Sequence, residues 1–237
     1  TEQPQYRVKI AAEYIPYVST ARVWNLPPTL GIDARLDNIS AFAKTGTIAV
    51  ATSSGGVGVK GDGATGYYSR ASSVVGQAMW MMAQFTVNST STSVVMRAYA
   101  LGSAAAGASA YAAIGQGTGS SSELFIQFRA VDSGSGISKI GPVPVVGQTY
   151  TVVAVYPSAL KADAYMYVNG VKYNTDFGAS ADITFTGAAN LVNESVGALK
   201  RNTAVNFSSD TVLFTARGTG QIPESLARQI SENPYSL

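Results

Sequence analysis

The sequence predicts an all-β protein with an extended N-terminal arm and one short C-terminal helix. Short apolar runs recur along the chain with Gly, Ser and Asn between them, which is typical of antiparallel strands and turns. Only 13% of the 237 residues are charged, against about 25% in an average domain. Leu, Glu and Lys, the usual residues of helical bundles, are scarce. With 46% hydrophobic residues, the chain can form a core, and sandwiches of this length are routinely one domain.

The N-terminal residues differ from the rest, and the sequence predicts an arm over 1–30 followed by a sandwich domain over 31–237. Four prolines in the arm prevent a long helix, while the alternation in Tyr6–Ile10 predicts a short strand. Large aromatic side chains anchor such arms, so we predict four interface residues: Tyr6, Tyr14, Tyr17 and Trp24. Packing of the arm on its own domain and packing on a neighbouring subunit are both open.

The remaining chain contains a series of predicted strands. Apolar or alternating runs predict them over Met79–Val87, Glu123–Arg129, Gln148–Tyr156, Val205–Phe207 and Asp210–Thr215. Small and polar residues between strands predict surface loops. These loops are Ser53–Gly58, Gly102–Ser109, Gly115–Ser122 and Ser133–Gly136.

The segment Ala164–Tyr173 predicts a hairpin, because Asn169-Gly170 is the strongest short-range hairpin signal. Tyr165 and Tyr167 share one face of its first strand, and that face is either core or an exposed platform. Trp80 stands among methionines, which predicts a core position.

One segment near the C-terminus has helical periodicity. Pro223–Glu232 has Pro at its start, an acid in its first turn, and apolar residues at Leu226 and Ile230. Asn233-Pro234 then ends the helix.

Several pieces of the chain, in order, resemble concanavalin A-like jelly rolls of the laminin-G and pentraxin type. They are Val57–Tyr68, the strand Met79–Val87 with its Trp80, Tyr150–Tyr156 followed by Ala164–Val171, Val196–Arg201, and Val212–Thr215 followed by Pro223–Pro234. The resemblance covers about residues 55–237. It implies a jelly-roll β-sandwich of two antiparallel sheets, with recognition carried by loops at the sheet edges.

The two ends of the chain are similar to a narrower group. Gln3–Tyr6 and Ala227–Leu237 resemble the ends of laminin-G-like structural proteins of tailed bacteriophages. This resemblance implies a virion protein, either a capsid-decoration protein or a tail-associated module.

The composition excludes much catalytic chemistry. Without Cys or His, the chain has no thiolate nucleophile, no imidazole base and no Ser-His-Asp triad. Glycosidases need paired carboxylates, but none of the six glutamates has an acid two or four residues further on. Those glutamates are Glu2, Glu13, Glu123, Glu194, Glu224 and Glu232. We therefore expect no enzymatic activity.

Cofactors and two classes of partner are also not expected. Calcium is conceivable through aspartate oxygens, but no local run supports it, and Asp62 in Gly61-Asp62-Gly63 is better explained as a turn residue. The other candidate oxygens are those of Asp132, Asp163, Asp176, Asp182 and Asp210. The net charge of +2 with scattered basic residues gives no nucleic-acid footprint. No apolar run is long enough for a membrane helix.

We expect a non-enzymatic structural module on the surface of a phage particle. Its expected partners are other virion proteins and copies of itself in a homo-oligomer, with host-surface glycans as further candidates. Tyrosines are available for stacking on sugars, at positions 67, 68, 99, 111, 156, 165, 167 and 173. The alternative is a secreted carbohydrate-binding lectin or adhesin module.

Overall fold

The computed structural model describes residues 22–25, 42–75, 78–92, 94–104, 110–117, 121–129, 136–183 and 190–234. Two antiparallel sheets of eight strands pack face to face, and one helix follows the last strand. The fold is the all-β jelly-roll sandwich that the sequence predicted.

Each of the two layers contains eight strands. The first sheet contains β1 (Arg22–Asn25), β3 (Ile48–Ser53), β4 (Gly56–Gly61), β6 (Met79–Thr86), β11 (Thr149–Tyr156), β12 (Tyr165–Val168), β13 (Val171–Tyr173) and β18 (Thr211–Thr219). The second contains β2 (Ala43–Thr45), β5 (Tyr67–Val75), β7 (Met96–Gly102), β8 (Tyr111–Gln116), β9 (Leu124–Arg129), β10 (Ile137–Ile140), β14 (Thr175–Asp176) and β15 (Asn190–Val196). A hairpin of β16 (Leu199–Lys200) and β17 (Ala204–Val205) and the helix α1 (Glu224–Glu232) complete the fold.

In each sheet, some neighbouring strands are consecutive in the chain and others are joined by long connections. The first sheet runs β13-β12-β11-β6-β18-β4-β3, and the second runs β14-β10-β9-β8-β7-β15-β5-β2. Strand β1 also pairs with β18, on the same edge as β4 but further along it, with Trp24 opposite Thr215. Within the described residues, no helix is long and apolar enough to cross a membrane.

Most predicted strands are confirmed. Strands β6, β9 and β11 match their predictions within one residue at each end. The hairpin turn is confirmed as well, because Asn169 and Gly170 both have positive φ, at 47° and 84°. The prediction over Val205–Phe207 was wrong in extent. Strand β17 ends at Val205, since Asn206 adopts a φ of 55° that breaks the extended backbone.

The interior between the sheets is apolar. Inward residues alternate along the strands, as in Met79, Met81 and Phe85 of β6 and Ile114 of β8. This cluster takes side chains from both sheets, so it holds the two layers together by hydrophobic burial.

A second apolar cluster lies on the outer face of the first sheet, beneath α1. Trp80 is buried there, with Leu226 and Ile230 from the helix. The core position predicted for Trp80 is confirmed, although it lies under the helix rather than between the sheets. Tyr165 and Tyr167 are in the same cluster, with their rings 5.9 Å apart and edge to face. Their shared face is therefore buried core.

Two predicted loops begin later than expected. Gly102 ends β7, and Gly115 lies within β8, where both are buried. Small residues suit close packing here as much as they suit loops. A Cβ on Gly102 would lie 2.1 Å from the Lys200 carbonyl oxygen of the covering hairpin. Residues 105–109 and 118–120 of these loops lie outside the described residues.

Candidate functional site

Strands β7, β8 and β9 bring polar and aromatic side chains to the outer face of the second sheet. Ile114 and Ile126 lie in the core, and because side chains alternate along a strand, their neighbours point outward. Across the three strands, Arg97 stands opposite Gly115, and Gly115 stands opposite Phe125. We call this group the arginine cluster, and its members are Arg97, Tyr111, Phe125, Gln127 and Arg129.

Gly115 makes the packing of the cluster possible. A Cβ at this position would lie 2.0 Å from the Met96 carbonyl oxygen and 3.0 Å from Cζ of Phe125. The missing side chain leaves room for the Phe125 ring between the two strands. Consequently the Arg97 guanidinium carbon lies only 4.2 Å from the centre of that ring, a cation–π contact.

Arg97 lies at the base of the cluster and is only 4% exposed. Its Nη2 donates a hydrogen bond of 2.6 Å to Gln127 Oε1, and the Tyr111 hydroxyl donates to the same oxygen at 3.1 Å. The Arg129 guanidinium lies 5.5 Å from the centre of the Tyr111 ring. Gln127 and Arg129 are the half-buried members, so they form the side of the cluster nearest to solvent.

Two donor nitrogens of Arg97 have no hydrogen-bond partner among the described residues. Nε and Nη1 are buried and form no hydrogen bond with any residue in the described part of the chain. Burial lowers the pKa of the Arg97 guanidinium to about 10, so the group remains protonated at neutral pH. The outer face of the second sheet therefore contains a buried positive charge with two N–H-bearing nitrogens that no described residue accepts from.

A different network holds the other two buried arginines, between the sheets. Glu194 Oε2 accepts hydrogen bonds from Nη2 of Arg70 at 2.9 Å and from Nη2 of Arg217 at 3.2 Å. The Tyr99 hydroxyl donates to the other carboxylate oxygen. Arg70 and Glu194 come from one sheet and Arg217 from the other. This network is a structural link between the layers.

A cavity of about 470 Å³ lies beside α1. Tyr165, Lys172, Gln221 and Glu224 are among its lining residues. Lys172 Nζ lies 4.6 Å from the centre of the Tyr165 ring and 2.5 Å from Glu224 Oε1. Lys172 at this cavity is thus paired with a carboxylate, unlike the guanidinium groups of the arginine cluster.

The candidate calcium-binding aspartates are dispersed. Asp62 Oδ1 accepts hydrogen bonds from the backbone N–H groups of Ala64, Thr65 and Gly66, which confirms its assignment to a turn. The hydrogen bond from the Thr65 hydroxyl, together with these backbone bonds, holds the Asp62 pKa well below its usual range. Asp132 lies outside the described residues. Within the described ranges, no three Asp or Glu residues are placed to hold a metal ion together.

Three of the four predicted interface residues lie outside the part of the chain that the structure describes. Tyr6, Tyr14 and Tyr17 lie outside the described residues, and Trp24 lies in β1, whose backbone pairs with β18. The arm boundary and the interface role therefore stay predictions.

Sequence reasoning included Tyr111 among the available tyrosines but missed the rest of the cluster. The signal available was the alternation of Phe125, Gln127 and Arg129, which places these three on one face of β9.

The comparisons with known proteins identify the fold. No protein-family model matches the sequence, and no curated protein matches it. Among solved structures, domain 4 of AbnA, an extracellular arabinanase from Geobacillus stearothermophilus solved in complex with arabinotriose, has a TM-score of 0.61. It is 16% identical, and the alignment covers 89% of this chain and 97% of that domain. The chain is a β-sandwich of this kind.

Sialidase structures show the same similarity. The Trypanosoma rangeli sialidase in complex with sialic acid aligns with a TM-score of 0.58 and 14% identity, over 90% of this chain and 32% of its own. The CBM40 domain of the Ruminococcus gnavus IT-sialidase aligns with a TM-score of 0.50 and 13% identity, over 66% of this chain and 84% of its own. This chain thus spans about a third of the Trypanosoma enzyme. At these identities the likeness establishes the fold alone.

Proposed function

We propose that the chain is a glycan-binding module and that the arginine cluster is its binding site. The observation that carries the proposal is the arrangement of two aromatic rings, an amide and two guanidinium groups on one outer sheet face. Sugars are recognised by aromatic surfaces together with a few well-placed polar groups. A domain of similar fold has been solved with arabinotriose, and a sialidase solved with sialic acid contains a domain of similar fold in about a third of its chain, which supports the same class of ligand here.

A glycan array probed with the full chain tests the proposal, followed by calorimetry on each ligand that binds. We expect Gln127→Ala and Arg129→Ala to weaken binding at least tenfold, because both residues form the accessible side of the cluster. The matched control is Lys172→Ala at the cavity beside α1, which should bind within twofold of the unaltered chain. Loss of binding in Lys172→Ala alone would place the ligand in that cavity instead.

We also propose that the module binds glycans without cleaving them. Glu194 is fully buried between the sheets and held by two arginines, while the arginine cluster lies on the opposite face of the same sheet. Incubation of the chain with each bound glycan should release no new reducing ends above the buffer control. Release in proportion to protein concentration would contradict this proposal.

Display on a phage particle is a second proposed role, with other virion proteins and copies of the chain as partners. Its support is the resemblance of both chain ends to phage structural proteins. Light scattering on the full chain, on a variant beginning at Ala21 and on one beginning at Gly31 tests the arm. We expect assembly of the full chain and monomers of both shortened chains. A monomeric full chain would overturn arm-mediated assembly and favour the secreted lectin alternative.

A further inference from the structure

We propose that the glycan bound by this chain carries a carboxylate, and that Arg97 is the residue that receives it. The inference rests on the proposed function and specifies the ligand class: a sialic or uronic acid rather than a neutral sugar.

The three buried arginines of the described chain support this inference. Arg70 and Arg217 share the carboxylate of Glu194, as expected because buried charges are normally paired. Arg97 is buried to a similar extent, yet its contacts are an amide oxygen and two aromatic rings. Among the described residues, no carboxylate lies within 4 Å of it, and Arg97 is thus the one of the three that lacks an anion.

The second positive charge beside Arg97 also supports an anionic ligand. Arg129 adds a second guanidinium to the cluster, and it forms no ion pair with the described acids. An anionic ligand therefore meets two positive charges that no described carboxylate compensates. A neutral sugar would leave both of them without a carboxylate partner in the described part of the chain.

Gln127 marks the direction from which a carboxylate would arrive. Its amide oxygen occupies Nη2 of Arg97 at 2.6 Å, and its side chain is half-buried on the side nearest to solvent. A ligand carboxylate that displaces this neutral oxygen replaces a hydrogen bond with one ionised partner by an ion pair, and arginine and carboxylate groups can pair through two parallel N–H···O bonds. The displaced amide is then free to bond to sugar hydroxyl groups.

Calorimetry with pairs of glycans that differ only in a free or an esterified carboxylate measures what the ligand's charge contributes to binding. The probes are 3′-sialyllactose, its carboxyl methyl ester and lactose, and in parallel trigalacturonic acid and its methyl ester. We expect at least one acid to bind tenfold or more tightly than its own ester, and the advantage to shrink as salt rises. The two acid series distinguish a sialic acid from a uronic acid as the ligand.

Calorimetry on variants then tests whether Arg97 is the residue that binds the ligand carboxylate. Arg97→Gln should reduce the affinity for the acid to that for the ester, and Arg97→Lys should retain part of the difference. Arg228→Gln, on the exposed face of α1, is the control and should retain all of it. Circular dichroism and thermal melting confirm that each variant is folded. If Arg97→Gln does not fold, Arg129→Gln at the half-buried edge provides the same test with a smaller expected loss.

The outcomes separate this inference from the proposed function. Equal affinity for acid and ester, or binding of neutral glycans alone on the array, overturns the carboxylate inference. The proposed function survives that result if Gln127→Ala still weakens binding at least tenfold. An array with no bound glycan overturns both proposals.

Discussion

The substitution Glu194→Gln tests whether the buried ion network holds the two sheets together. Glu194 Oε2 accepts four hydrogen bonds, two from Arg70 at 2.9 and 3.1 Å and two from Arg217 at 3.2 Å each. The side chain is fully buried. The amide of glutamine is nearly isosteric, but it removes the negative charge and brings an NH₂ group toward guanidinium donors.

The expected cost follows from burial. Breaking a buried ion pair by neutralising one partner costs about 3–5 kcal/mol, because the remaining charge is left uncompensated. For a domain of this size, each kcal/mol shifts the Tm by about 2–4 °C. Glu194→Gln should therefore lower the Tm by roughly 6–20 °C.

Thermal melting and urea unfolding, with Glu224→Gln as the matched control, measure this effect. Glu224 also pairs with a basic residue, Lys172, but the two side chains are 55% and 36% exposed. Pairs exposed to solvent contribute less than about 1 kcal/mol. If the two variants unfold within 1 °C of each other, the ion network contributes no more than an exposed pair, and the reasoning from burial is refuted.

Three further predictions concern turns, packing and pH. Burial raises the pKa of Asp210 from 3.8 to about 6, so its contribution is fully present below pH 4 and is lost as pH rises through 6. The stability difference between the unaltered chain and Asp210→Asn should therefore fall by about 3 kcal/mol between pH 4 and pH 7.5, and a difference independent of pH would exclude this titration. Asp62→Ala should lower the Tm by removing the acceptor of three backbone N–H groups, with Asp62→Asn intermediate in the same melting experiment. Gly115→Ala should lower the free energy of unfolding in urea by about 1–3 kcal/mol, because the new Cβ would clash with the Met96 carbonyl oxygen. An unchanged unfolding midpoint would show that the β7 backbone moves to accommodate the methyl group.

The sequence predicts well what is local in the chain. The turn at Asn169-Gly170 follows from the positive φ that both residues tolerate, and the Asp62 turn follows from side-chain bonds to residues two to four positions ahead. Strands β6 and β11 follow from continuous apolar runs. In each case the residues that decide the structure lie within one short segment.

Features that depend on distant residues escaped prediction. Glu194 and Arg70 are 124 positions apart, and only the sheet order brings them together. The burial of Gly115 in β8 was missed because its composition matches a loop as well as a crowded strand. The arginine cluster was missed for a related reason. Alternation gives the face of each strand, but not which strands are neighbours.

The outer faces of the two sheets differ in a way that favours the second sheet as the binding surface. On the first sheet, Leu226, Ala227 and Ile230 of α1 pack over Trp80 and the neighbouring apolar side chains, so that part of the outer face is covered. On the second sheet, the hairpin β16–β17 packs on Ala100, Ala113 and Tyr111, and no described helix lies there. Among the described residues, the guanidinium groups that lack a described carboxylate partner lie on the outer face of the second sheet, whereas polar side chains on the outer face of the first sheet bond to each other, as Gln84 does to Thr151. That asymmetry is why the substitutions proposed at β9, rather than those beside α1, decide the function.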